Sequence, residues 1–170
     1  MKKDSTAYKV VLLAVLCAIC GALMSGVNSL TAPVIAEAAI AKEKTNLEKI
    51  YPGASFTEVK DYDDPTGLVT GVYSADGKGM IYKIHAVGYN ADGFDFMVAF
   101  NEDGTVGGYL VLSENETSGF GKRAFQDEYT SQIMSLTSTD EVPLLSGATL
   151  TSTAVKKGIE AAEALFNASK

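Results

Sequence analysis

Apolar and polar positions change their rhythm three times along this chain. From Val10 to Leu30, twenty-one residues pass without a charge, enough at about 1.5 Å per residue to cross a bilayer as a helix. From Pro33 to Ile50, apolar Ile35, Ala38, Ala39, Leu47 and Ile50 are interleaved with Glu37, Lys42, Glu43, Lys44 and Glu48. That spacing predicts a connecting helix that leaves the membrane. Tyr51-Pro52-Gly53 stops it, and Asp61-Tyr62-Asp63-Asp64-Pro65-Thr66-Gly67 reads as a loop.

Beyond residue 67 the rhythm becomes that of strands. Leu68–Tyr73, Met80–Tyr89, Phe94–Phe100 and Val106–Leu112 are rich in β-branched and aromatic residues. Asp76-Gly77, Asp92-Gly93 and Asp103-Gly104 supply hairpin turns between them, so a meander is expected. Lys122–Leu136 is expected to be helical, with Phe125, Tyr129, Ile133 and Met134 on one face. Thr151–Ala168 is the clearest helix of the domain, with a stripe of Val155, Ile159, Ala162, Leu165 and Phe166. The fold class is therefore α+β: a twisted antiparallel sheet with packed helices, preceded by one N-terminal transmembrane helix.

With 170 residues and 46% apolar content, the chain has room for one core-bearing domain and an anchor. The expected divisions are a cytoplasmic tail at 1–9, a membrane helix at 10–30, a connecting helix at 31–50 and an extracytoplasmic domain at 51–170. A cleaved signal peptide would have a shorter apolar region and a small-residue cleavage site, whereas Ala32 is followed by Pro33; a retained anchor is expected. Lys2, Lys3 and Lys9 precede the span or lie at its edge, which places the N-terminus in the cytoplasm and the domain outside. The net charge is −7, and −9 without residues 1–9, which argues against nucleic acid or anionic lipid as a partner.

Cys17 and Cys20 both fall within the apolar run, where they read as small polarizable residues. Their surroundings match a lipidation signal poorly. His85 is the only histidine and stands mid-strand, read as a surface or hydrogen-bonded residue. The Asp cluster at 61–64 lacks the alternation and terminal Glu of a calcium loop. Neither a catalytic nor a metal site is expected, because no nucleophile–base pair and no metal-hydrolase constellation stands out. No dinucleotide fingerprint follows a strand.

Two loops carry the candidate chemistry. Ser146-Gly147-Ala148-Thr149-Leu150-Thr151-Ser152 opens the last helix, with small residues and hydroxyls that let a phosphate approach the helix N-terminus. Taken alone, such a segment is most often only an N-cap. About thirty residues upstream, Glu116-Thr117-Ser118-Gly119-Phe120-Gly121 forms a second glycine-bracketed turn with an acid and a hydroxyl, which alone reads more readily as a tight turn after a strand with Phe120 in the core.

Together and in this order, the two segments resemble the FMN-binding domain shared by the G subunit of the Rnf electron-transport complex and the C subunit of sodium-translocating NADH:quinone reductase. The resemblance to the Rnf G subunit extends to the N-terminal span, Thr31-Ala32-Pro33, Tyr51-Pro52-Gly53 and Val87-Gly88-Tyr89. It implies FMN joined through a phosphoester to Thr149 by a flavin transferase that uses FAD and a divalent metal. Ser146, Gly147, Ala148 and Thr151 would surround the phosphate. Glu116, Thr117, Gly119, Phe120 and Gly121 would form the ring-side loop, with Phe120 over the flavin and Thr117 at its polar edge.

It further implies an electron relay rather than an enzyme by itself, acting with other subunits of an ion-translocating ferredoxin:NAD+ oxidoreductase. The chain departs from the family pattern at Pro143, where an Asp is usual, and at Ser118, where a Pro is usual. It departs also at Phe120, in place of a commoner Leu, and at Glu114, in place of a His. Alternatives are the quinone-reductase subunit, a stand-alone extracellular FMN reductase and a non-redox membrane-anchored binding module.

Overall fold

A computed structural model describes residues 6–136 and 139–169. Lys2 and Lys3, on which the expected orientation partly rests, lie outside them. Helix α1 runs Thr6–Ile50, with Pro33 within it. The chain separates into two compact units, one ending at Lys44 and the other beginning at Thr45.

In the first unit, Val10, Leu13, Leu16, Leu23, Met24 and Leu30 are each more than half exposed. A window of this helix has a mean hydropathy of 2.6, and the helix is long and apolar enough to cross a membrane. Leaving these side chains in water would forgo about 1.5–3 kcal/mol for each large one.

The second unit is built on a five-stranded antiparallel meander: β1 Phe56–Val59, β2 Val69–Ala75, β3 Gly79–Ala86, β4 Phe94–Asn101 and β5 Val106–Glu114, in that order across the sheet. Helices α2 Asp127–Met134 and α3 Thr149–Ala168 follow, so the expected α+β class is the observed one. Strand β1 was not among the expected strands. It is short, paired with β2 alone, and has two exposed residues at its centre, so it carries no clean alternation of apolar and polar positions. Strand β3 ends at Ala86 and not at Tyr89, because the chain turns away beyond the last pair, Ala86 with Phe94.

The two faces of the sheet are covered separately. On one, Tyr82, Ile84, Phe94, Phe96, Val98 and Phe100 pack with Val155, Ile159, Ala162 and Phe166 of α3 and with Tyr129 and Ile133 of α2. A methyl at Gly158 would stand 2.8 Å from both Ile84 Cγ2 and Phe96 Cζ, so α3 approaches the sheet at van der Waals contact. On the other face Ile81, Met97 and Ala99 pack with Leu47 and Tyr51. The expected α3 stripe is the buried one, with Leu165 half-buried at its edge.

The segment expected as one helix over 122–136 instead forms a 3-10 turn at Gly121–Phe125 and then α2, broken at Gln126, whose backbone is extended. Met134, expected on the apolar face, is exposed. His85 sits in β3 with Nδ1 2.9 Å from Asp95 Oδ1 on β4. The Asp64 carboxylate serves its own loop, accepting the amides of Thr66 and Val69 at 2.9 and 2.8 Å. Burial acts to raise its pKa, but the hydrogen bonds outweigh it and hold the group below its usual range.

Candidate functional site

The meander dictates where the site lies. Ala86 pairs with Phe94, and Phe94 with Glu114, so the chain leaving β3 and the chain leaving β5 emerge at the same end of the sheet. Helix α3 brings its N-terminus there: methyls at Gly88 and Gly121 would both run into Glu116 and Thr151. Residues 88, 116, 121 and 151, separated by up to sixty-three positions in sequence, thus form one knot.

The Glu116 carboxylate is buried at the centre of that knot. Oε1 accepts the Tyr89 amide at 3.0 Å, and Oε1 and Oε2 accept the Asn90 amide at 3.4 and 3.3 Å. The Thr151 hydroxyl, also fully buried, lies 3.4 Å from the Tyr89 amide as its second acceptor. Backbone amides thus satisfy this buried side chain. Glu116 and Thr151 therefore face the interior, where they join three loops.

Around the knot opens a cleft of about 270 Å³, lined by Tyr89, Phe120, Gly121, Gly147, Ala148, Thr149, Leu150 and Thr151. The two motifs singled out in the sequence do converge here. Thr149 is exposed and is the first residue of α3; Thr151, expected to begin this helix, is its third. The preceding residue, Ala148, occupies the cap position and no side chain caps the helix. None of the neighbouring hydroxyls is the N-cap that such a sequence suggests, so the helix starts without a side-chain cap.

The loop leading to Thr149 is held from behind. Ser152 is buried; its hydroxyl accepts the Leu145 amide at 3.1 Å and donates to Ala148 O at 3.0 Å. Tyr129 donates its hydroxyl to Pro143 O at 2.9 Å. Gly147 has φ +80, a conformation that glycine adopts freely and other residues rarely do. Ser146 and Gly147 are exposed while Ala148 is buried. Arg123 donates from Nη1 to Ser146 O at 3.0 Å, so a guanidinium borders the loop in a strongly acidic chain.

In the second loop, Thr117 is exposed and its carbonyl accepts the amides of Phe120 and Lys122 at 3.2 and 3.3 Å. Gly119 has φ +81. Phe120 is 55% exposed and its ring stacks on Tyr89 at 6.2 Å between centroids and 15° between planes. Sequence reading did not single out Tyr89, Arg123, Leu150 or the Ser152 clasp as site residues. The only signals for them were Val87-Gly88-Tyr89 before a turn and the last hydroxyl of the Ser146–Ser152 segment.

These residues fit FMN. An uncapped helix start with a glycine turn and a neighbouring guanidinium suits a phosphate, the Thr149 side chain is exposed beside it, and the adjoining cleft is lined by the aromatic rings of Tyr89 and Phe120. An exposed hydroxyl at an uncapped helix start, beside an apolar wall at the end of a sheet, suits a flavin-binding domain.

Comparison with known proteins agrees. Residues 88–163 match the FMN-binding domain family, and residues 1–50 match the RnfG N-terminal region. The G subunit of the proton-translocating ferredoxin:NAD(+) oxidoreductase complex of Clostridium ljungdahlii is 26% identical over 163 residues, spanning 88% of this chain and 85% of that protein. Residues 88–163 thus carry the likeness to an FMN-binding domain, and the chain as a whole resembles the G subunit of the Rnf complex.

Proposed function

We propose that this chain is the electron-carrying G subunit of an Rnf-like ferredoxin:NAD+ oxidoreductase coupled to ion transport, with FMN attached to Thr149 through a phosphoester. One observation carries the attachment: Thr149 presents an exposed hydroxyl at the uncapped start of α3, in the cleft where the two loops meet. Bound there, FMN supplies reversible redox chemistry.

The protein's own part is to hold it. The first-turn amides and the helix dipole favour the remaining phosphate charge by about 0.3–1 kcal/mol where solvent reaches it, and Arg123 adds a charged donor beside them. Maturation by a flavin transferase joins Thr149 Oγ to the FMN phosphorus of FAD. The pyrophosphate bond breaks, AMP departs and the hydroxyl gives up its proton. Before that step Thr149 must release its 3.3 Å hydrogen bond to Leu145 O, a weak contact at that length.

Ser146, Gly147 and Ala148 shape the phosphate loop, and Glu116, Thr117, Gly119, Phe120 and Gly121 shape the ring side, with Thr151 at the cleft floor. The proposed arrangement is a single pass: cytoplasmic 1–9, membrane 10–30, connecting helix 31–50 and extracytoplasmic 51–170. The apolar α1 and the match of residues 1–50 to the RnfG N-terminal region support it. An exported carrier cannot recapture a cofactor lost to dilution, so a covalent bond suits that side of the membrane.

Thr149→Val tests the site. The variant is expected to fold and to show no flavin fluorescence on a denaturing gel. A variant still fluorescent there would move the attachment elsewhere.

A further inference from the structure

The end of the sheet away from Thr149 holds a second cavity. Ala75 pairs with Gly79 and Gly79 with Asn101, so the β2–β3 and β4–β5 turns lie together at that end. Helix α3 finishes there as well, with Ser169 as its C-cap after about 30 Å of helix. Between these elements opens a cavity of about 510 Å³, against about 270 Å³ for the cleft beside Thr149. Its volume lies within the roughly 300–1,000 Å³ of pockets that enclose a small ligand. Val59, Met80 and Phe166 give it an apolar lining, and Phe166 is buried.

The polar side of this cavity is acidic. Asp76 and Glu102 line it, and neither carboxylate has an ion pair or a hydrogen bond among the described residues. No Lys, Arg or His is among the lining residues. The last turn of α3, where Leu165 O and Phe166 O accept the Ser169 amide at 3.1 and 3.3 Å, adds the negative end of a helix dipole. Beside Ser169 is Tyr82, 1% exposed, whose hydroxyl meets no hydrogen-bond partner among the described residues. Burial pushes this phenol up to about 12, while the neighbouring Ser169 side chain acts the other way, so at pH 7 it is neutral with a lone pair to offer. A buried polar atom without a partner is uncommon, and this one stands at the wall of a cavity.

We infer that this cavity is a second binding site, for a small organic cation: an ammonium or guanidinium carried on an apolar stem. The stem lies on Val59, Met80 and Phe166, and the cationic head sits among Asp76, Glu102 and the C-terminal end of α3. An anion there meets two carboxylates and the negative end of a helix. A bare calcium ion finds two carboxylates where it takes about six to eight oxygens. An aromatic ring in the lining favours a cation further. The inference stands apart from the assignment of FMN to Thr149, which lies at the other end of α3. A free amine and a lysine side chain of a partner protein share this chemistry, and the test separates them.

Full-length protein in detergent, with isotope-labelled methionine methyls, supplies the readout. Met80 lines the cavity, whereas Met97 packs on the other face of the sheet and Met134 is exposed on α2. Phenethylammonium chloride is titrated at constant ionic strength, beside its uncharged counterpart phenethyl alcohol and acetyl-lysine amide. The Met80 methyl is expected to shift and saturate with phenethylammonium while Met97 and Met134 stay unmoved, and phenethyl alcohol should give no saturating shift. Asp76→Asn with Glu102→Gln should raise Kd roughly tenfold, as loss of two solvent-edged charge pairs does, and Tyr82→Phe should raise it severalfold. Tighter binding of acetyl-lysine amide would assign the site to a partner's lysine, and tighter binding of phenethylammonium to a free amine. No saturable Met80 shift with either cation, an equal shift with the alcohol, or an unchanged Kd in the carboxylate double variant would overturn the site. Asp76 and Glu102 are exposed, so that variant is expected to fold, and an unmoved Met97 signal verifies it.

Discussion

Glu116 Oε1 accepts the backbone N–H of Tyr89 at 3.0 Å across twenty-seven residues of sequence. This one bond ties the chain leaving β5 to the chain leaving β3. Removal of the carboxylate leaves the part-buried Asn90 amide without this acceptor and the Tyr89 amide with only the Thr151 hydroxyl at 3.4 Å. Glu116→Ala is expected to lower stability by about 1–3 kcal/mol, the cost of unsatisfied buried donors, with Glu116→Gln losing less. Urea titration of the two variants against the wild type checks the order.

Gly158 marks the closest approach of α3 to the sheet. Alanine has the better helix propensity by about 1 kcal/mol, but its methyl would meet Ile84 and Phe96, both fully buried, at 2.8 Å. Overpacking costs about 1–3 kcal/mol, so Gly158→Ala is expected to be net destabilising despite its propensity. A rise in the urea midpoint would show that the interface has room to adjust.

Tyr129 supports the Thr149 loop through Pro143, and burial pushes its pKa up to about 12. Burial, and then the Asp103 charge, raises Tyr51 likewise to about 12. Both folded values exceed the usual value near 10. The stabilisation they represent is therefore complete below pH 10 and is lost as pH rises toward 12. Stability followed from pH 8 to 12 should fall beyond 10, and Tyr51→Phe and Tyr129→Phe should each shallow the fall. Tyr129→Phe should also cost about 0.5–1.5 kcal/mol at neutral pH for the hydrogen bond to Pro143 O.

What the sequence disclosed follows from range. The Asp-Gly turns at 76–77, 92–93 and 103–104 depend on a local backbone preference, and Gly77, Gly93 and Gly104 all have positive φ. The α3 stripe depends on a helical period, and it is the buried one. Strand β1 escaped because its Phe56-Thr57-Glu58-Val59 is held by register with Val72–Ala75 and not by its own pattern. The inward turn of Glu116 and the partnership of Tyr89 with Phe120 are likewise products of sheet register, which brings together residues that no local window contains. The hydroxyls at 146–152 resembled an N-cap, yet the chain uses the buried Ser152 as a clasp behind the loop and leaves Ala148 at the cap.

The most direct measurement is the mass of the peptide containing Thr149 from protein purified out of its native membrane. A gain equal to FMN less one water, located on Thr149, is the expected result. An unmodified Thr149 peptide, or the same gain on Thr151, whose hydroxyl is buried against the Tyr89 amide, would contradict a carrier built around the exposed hydroxyl at the start of α3.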